Sequence, residues 1–147
     1  MKSIDEPGIE RILTRLLLHY ARAVDRRDYE AIARCYWDDA RDEHGSFSGN
    51  APDYVAWLRE VLPNVAVSSH QFTNILVDVE SANAATSETY CFNVNVFAAT
   101  AESPATHTTS LLRYLDRFER RDGEWRIVHR RVVTDWSRAE TGPVSYR

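Results

Sequence analysis

The sequence predicts an α+β domain in which amphipathic helices come first and a curled antiparallel sheet of long strands follows. Three observations carry that expectation. Ile9, Leu13, Leu16, Leu17, Tyr20 and Val24 recur at steps of three and four, which places them on one stripe of a helix. From Val65 onward the chain turns rich in Val, Thr, Ile and aromatic residues, with apolar positions alternating as in strands. Asp122-Gly123 then separates two such runs, and it is the dipeptide of a two-residue hairpin turn.

The elements follow in order. Pro7-Gly8 opens the first helix, with Asp5 and Glu6 suited to its positive end, and the stripe stops near Asp25-Arg26-Arg27-Asp28. Asp28 reads as the N-cap of a short second helix, Tyr29 to Tyr36, closed by Asp38-Asp39. Ala40 to Asn50 holds Gly45 and Gly49 and predicts a short hairpin. Asn50-Ala51-Pro52-Asp53 starts a third helix carrying Tyr54, Val55, Leu58, Val61 and Leu62, which Pro63-Asn64 stops. Four strands are expected after it: Val65 to Val79, Ala84 to Ala99, Thr106 to Glu119 and Trp125 to Trp136. In the second, Tyr90, Phe92, Val94 and Val96 share a face; in the third, Leu112, Tyr114 and Phe118 alternate against Leu111, Arg113 and Leu115. A sheet curled around the three helices makes a cone with one open mouth. Residues 1–8 and 138–147 are expected to be loose tails.

Composition narrows the function classes. The 147 residues make one domain with a real core, 44% hydrophobic and 27% charged, with no visible internal boundary. Eighteen basic residues against 22 acidic ones give a formal charge of −4, which argues against a nucleic-acid partner. Lys2 is the single lysine; the other basic residues are arginines. No apolar run reaches the roughly 20 residues of a membrane span, and the opening residues hold no hydrophobic signal core, the pattern of a cytoplasmic protein without a membrane partner. Cys35 and Cys91 lie far apart without a CxxC pair, so they read as small buried hydrophobes, not as a zinc site.

Several stretches resemble the SnoaL-like branch of the NTF2-like (cystatin-like) superfamily. They are Leu17-Leu18-His19-Tyr20-Ala21-Arg22-Ala23-Val24-Asp25, Tyr36-Trp37-Asp38-Asp39-Ala40, Ser69-His70-Gln71-Phe72-Thr73-Asn74, and Phe118-Glu119-Arg120-Arg121-Asp122-Gly123-Glu124-Trp125-Arg126-Ile127. The resemblance runs from about Ile9 to Trp136 and makes residues 1–147 a single domain of that kind. It implies a curled sheet with helices on its concave side and a cone-shaped pocket. The branch includes scytalone dehydratase, bile-acid 7α-dehydratase and hexachlorocyclohexane dehydrochlorinase, which carry out eliminations without a metal or organic cofactor. The fold also hosts non-catalytic proteins, so the resemblance fixes the fold more sharply than the activity.

Carried over position by position, the resemblance makes Asp25 and His70 the expected general-base pair and adds Tyr20 and Arg130 as orienting or electrophilic groups. The logic is chemical: a neutral imidazole takes a proton from carbon, and a carboxylate on its other nitrogen sets the tautomer. Plainer readings stand beside it. Asp25 would end its helix amid Arg22, Arg26 and Arg27; His70 would be an ordinary half-buried histidine; Tyr20 would be core. Strict alternation makes Arg130 and Arg131 face opposite ways, and the spacing from Trp125 favours Arg130 as the inward one. His19, His44 and His129 read as surface or rim, and His107 as the only other middle-strand histidine. Tyr54, Trp57, Phe72, Tyr90 and Phe92 are expected to line the pocket for a small cyclic hydrophobic ligand.

The expected activity is therefore a dehydratase-like lyase. One alternative is a ligand-binding or dioxygenase small-subunit-like accessory protein. A second is a ketosteroid-isomerase-like or polyketide-cyclase-like enzyme using Asp78 or Asp135. The resemblance also implies a homodimer or homotrimer joined through the outer sheet face, with Phe97, Leu111 and Tyr114 as candidates.

Overall fold

The Asp5 carboxylate accepts a hydrogen bond from the Gly8 N–H at 3.1 Å, which satisfies one of the donors that a helix start leaves open. From there the computed structural model, which describes residues 5–143 and 145, runs as helix α1 (Glu6–Asp25). Its buried residues are Ile9, Leu13, Leu17, Tyr20, Ala21, Ala23 and Val24, which include the predicted stripe except Leu16, half-buried at its margin. The helix ends where Arg27 adopts a left-handed φ of 56°. A non-glycine residue there is held from outside: the Arg27 guanidinium donates to the carbonyls of Leu62, at 3.2 Å, and Val65.

Asp28 caps α2 (Tyr29–Arg34) through the Ala31 N–H at 3.0 Å. This helix is shorter than expected. Tyr36 already belongs to strand β1 (Tyr36–His44), which turns at Gly45 into β2 (Phe47–Asn50). The aromatic Tyr36-Trp37 step pairs better in a sheet than it extends a helix. Asn50 caps α3 (Ala51–Val61), and a 3-10 turn, Leu62–Asn64, carries Pro63. Then come β3 (Val67–Ser81), β4 (Ala84–Phe97), β5 (Thr106–Arg121) and β6 (Glu124–Thr141). The last strand exceeds its expected length because Ser137–Thr141 pair with Thr106–Ser110. Within the expected tails, residues 6–8 belong to α1 and residues 138–141 to β6. The rest of the N-terminal tail, residues 1–4, and residues 144, 146 and 147 lie outside the described residues.

The six strands form one sheet in the order β2-β1-β6-β5-β4-β3. All neighbours are antiparallel except β1 and β6, which run parallel because the chain crosses through α3 to the far edge before it meanders back. The sheet curls without closing, so β2 and β3 remain edges. Irregularities at Thr73/Ile75, Leu111/Leu112 and Arg117/Phe118 bend the long strands. The one in β6 decides an orientation. Phe118 pairs with Ile127 and Arg117 with His129, which leaves Val128 as the extra residue. Ile127 and Arg130 therefore both face inward, each 0% exposed, while Arg131 faces solvent.

α1 lies against β3, and the core fills the space between the helices and the inner sheet face. Cys35 and Cys91 are buried free thiols, as expected, and burial pushes them up to about 11 and about 12. Tyr90, Phe92, Val94 and Val96 do share a face, but Tyr90 and Phe92 are on the outside. Cys91, Asn93 and Phe97 take the inward positions, Cys91 packing in the core and Asn93 and Phe97 lining a cavity.

Candidate active site

Asp25 is the last residue of α1, where the helix carbonyls present partial negative charge and disfavour a carboxylate. Donors from β3 offset this. As an edge strand, β3 has unpaired backbone groups, and the His70 N–H donates to the Asp25 carboxylate at 2.9 Å. The Ser68 hydroxyl, two residues earlier and so on the same side of the strand, donates to Asp25 Oδ1 at 3.0 Å. His70 Nδ1 meets the same oxygen at 2.7 Å. Burial works to raise the Asp25 carboxyl, but these hydrogen bonds outweigh it and hold the group below the usual carboxylate range. With Nδ1 turned to the carboxylate, Nε2 is the nitrogen left with a free lone pair.

His70 lines a cavity of about 240 Å³ whose other walls include Tyr20, His44, Tyr54, Trp57 and Asn95. That is the scale of a one- or two-ring molecule, since a cavity of about 150 Å³ takes up benzene. A larger groove of about 610 Å³ lies outside the core between α1, α2 and Trp125, lined by Arg15, His19, Arg22 and Arg34. It contains neither His70 nor any other strand histidine, so the smaller internal space is the candidate site.

One side of the cavity opens onto a chain of buried polar groups. The Tyr20 and Tyr54 hydroxyls are 2.6 Å apart, and Tyr54 Oη is 3.2 Å from His44 Nδ1. His44 Nδ1 stands 3.6 Å from Asp42 Oδ1. The other Asp42 oxygen accepts from the Tyr36 hydroxyl at 2.7 Å. Tyr36 in turn receives Arg130 Nη1 at 3.2 Å, and Arg130 makes a two-pronged pair with Asp116 at 2.7 and 2.8 Å. The guanidinium also stacks 4.0 Å from the centre of the Tyr20 ring and 4.8 Å from that of Tyr114. Burial opposes the charge on Arg130, but Asp116 and the neighbouring tyrosines outweigh it and hold the group well above its ordinary value. Burial raises Tyr20 to about 12, and Tyr36 and Tyr54 well above the usual phenol range. All three remain hydroxyl donors at neutral pH.

Of the expected residues, His70, Tyr20, Tyr54 and Trp57 line the cavity, and Asp25 stands behind His70, joined to it at 2.7 Å. Four depart from expectation. Arg130 does face inward, but its guanidinium is taken up by Asp116, Tyr36 and the tyrosine rings and lies a layer behind the wall. Phe72 packs on Tyr114, with ring centres 4.9 Å apart, instead of lining the space. Tyr90 and Phe92 sit on the outer face because alternation from the inward Cys91 and Asn93 turns them out. The carboxylates of the isomerase-like alternative are outside as well: Asp78 is exposed, and Asp135 is clamped by Arg113 at 2.7 and 2.9 Å. His107 pairs with Glu140 at 2.9 Å, away from the cavity.

Sequence reasoning missed His44 and Asp42. His44 was expected at the surface or rim; its side chain is 19% exposed and lines the cavity. The signal was there: Asp42 and His44 stand two apart and share a strand face once Tyr36–His44 is read as one strand.

The family described as SnoaL-like domain matches residues 10–131. An uncharacterized protein of Mycobacterium tuberculosis is 33% identical over 137 residues, covering 91% of this chain and 90% of that protein. Among solved structures, a type 3 hexachlorocyclohexane dehydrochlorinase of Novosphingobium barchaimii LL02 superposes with a TM-score of 0.84 at 18% identity, over 97% of both chains. A provisionally named scytalone dehydratase of Novosphingobium aromaticivorans DSM 12444 gives 0.79 at 18% identity, over 95% of this chain and 91% of that one. At these identities the likeness to the solved structures is one of fold.

Proposed function

Since the chain belongs to the SnoaL-like domain family, we propose that it is a cofactor-independent lyase that eliminates HX from a small cyclic hydrophobic molecule. The observation that carries this reading is the 2.7 Å contact between Asp25 and His70 at the wall of a mainly apolar cavity. His70 Nε2 takes a proton from a carbon beside an electron-withdrawing group. The C–H electron pair becomes the new double bond, and the C–X pair leaves with X. Asp25 holds the ring in the tautomer that has a basic Nε2 and stabilises the imidazolium that forms. Tyr20, kept protonated by burial, steadies the Tyr54 hydroxyl at the same wall.

Nitrobenzisoxazole tests the base alone, because its ring opens on proton removal and its phenoxide-like leaving group needs no acid. The protein is expected to open it faster than free imidazole does, and His70→Ala to lose at least ~10²-fold of that rate. An unchanged rate in the variant overturns the reading.

The reading extends to self-association as a homodimer or homotrimer. Phe92, Leu111 and Trp136 are 39%, 46% and 47% exposed and stand in register across three strands of the outer face. Of the residues expected there, Leu111 fits; Tyr114 is buried and Phe97 lines the cavity. Trp136→Lys is expected to shift the protein to monomer in sedimentation. An unchanged sedimentation profile would place the contact elsewhere.

A further inference from the structure

We propose that the groove between α1, α2 and Trp125 is a binding site for an anionic amphiphile, a small molecule with an apolar chain or ring and a phosphate or carboxylate head. The groove is separate from the His70 cavity, with which it shares no lining residue.

Its construction follows from the periodicity of α1. Beside the core stripe, Ile12, Leu16 and Ala23 make a second apolar row, and Arg15, Arg22 and Arg26 make a basic row next to that one. Eleven residues separate Arg15 from Arg26, so the basic row runs for about 16 Å along the helix. Arg34 adds a fourth guanidinium from the end of α2. Ala31, Cys35 and Trp125 complete the apolar floor. A space of about 610 Å³ with mixed apolar and charged walls has the size of a small-molecule site.

The charge selects the ligand. The chain carries a formal charge of −4, yet four arginines meet over this one groove. Elsewhere arginines are matched by acids: Arg59 by Glu30, Arg113 by Asp135, Arg121 by Asp39 and Arg130 by Asp116. Among the described residues, none of Arg15, Arg22, Arg26 and Arg34 has a carboxylate partner. Asp28 is the one acidic residue lining the groove, and its carboxylate accepts the Ala31 N–H at 3.0 Å instead. Helix ends favour cations, which suits Arg22, Arg26 and Arg34, but Arg15 lies in the middle of α1 and gains nothing there.

Next to this charge, Ile12 is left 48% exposed. Unmatched positive charge and bare apolar surface in one groove are both satisfied by a ligand with two ends. Its body removes Ile12 and Leu16 from water, and the guanidinium groups take its head in paired, charge-assisted hydrogen bonds. An inorganic anion would leave the floor wet, and an uncharged hydrocarbon would leave the arginines unmatched.

Octyl phosphate, kept below its micelle concentration, is the probe on the full chain, with inorganic phosphate and octyl glucoside as comparisons. Calorimetry is expected to show it binding at least ~10-fold more tightly than either. The affinity is expected to fall with added salt. It is also expected to drop at least ~10-fold when Arg15→Gln and Arg22→Gln are combined, a change confined to exposed side chains. The ω-brominated probe reports its own position, since bromine quenches a tryptophan that it touches. Trp125→Phe is expected to lose most of the quenching, and Trp57→Phe, in the His70 cavity, to keep it. No binding of octyl phosphate, or equal affinity for either comparison compound, overturns the proposal. So does an unchanged affinity in the arginine variant, or quenching that is lost with Trp57 and kept without Trp125. Attachment to phosphatidylglycerol vesicles without binding of the monomeric probe overturns it in favour of a membrane surface.

Discussion

Replacing Asp116 by Ala is expected to destabilise the protein by about 3–5 kcal/mol, the usual cost of removing one partner from a buried ion pair. Both side chains are 0% exposed, so the Arg130 guanidinium left behind would have no water to turn to. It would keep one neutral hydrogen bond, to Tyr36, and its contacts with the tyrosine rings. Neither neutralises a charge. Urea midpoints with an unchanged slope would measure the loss. The double variant Arg130→Met with Asp116→Leu is expected to regain most of it, because removing both charges removes the desolvation problem as well. A single-variant loss under about 1 kcal/mol would mean that water reaches the pair.

Asp25→Asn is expected to slow ring opening of nitrobenzisoxazole by ~10²–10⁴-fold. The amide matches the carboxylate in shape. It can present an N–H to His70 Nδ1, which would turn the ring into the tautomer whose Nε2 carries hydrogen. The variant also separates stability from catalysis. Asp25 is held below the usual carboxylate range in the folded protein, so its favourable contribution is full at neutral pH. That contribution falls away as acid brings the group through its lowered folded value. The acid limb of the stability curve should therefore be shallower in Asp25→Asn than in the unaltered chain. A parallel acid limb would show that the His70 and Ser68 hydrogen bonds have little hold on the carboxylate.

What could be read from the sequence divides along physical lines. Periodicity revealed α1, α3 and the four long strands, because each buries one face and the pattern repeats over many residues. It failed at Tyr36–His44, where charged residues outnumber apolar ones and two of the inward groups, Asp42 and His44, are polar side chains that no hydrophobic pattern detects. Spacing from Trp125 picked Arg130 over Arg131, but the Val128 bulge that turns it inward carries no residue signature. The pairing of Asp25 with His70 came from resemblance alone. The two lie 45 residues apart, and only the helix-to-edge-strand contact joins them. The pocket list went wrong where strand face was guessed from aromatic content: Tyr90 and Phe92 are aromatic and turned outward, while Asn93 and Asn95 are polar and turned inward.

Arg27 ties together two things usually tuned apart. Its guanidinium holds the carbonyls of Leu62 and Val65, whose side chains form part of the cavity wall, and its backbone follows Asp25 by two residues. Stretching that wall to admit a bulkier guest would pull on the same corner of chain that aims the carboxylate. The shape of the cavity and the placement of the Asp25 carboxylate against His70 are thereby geared to each other.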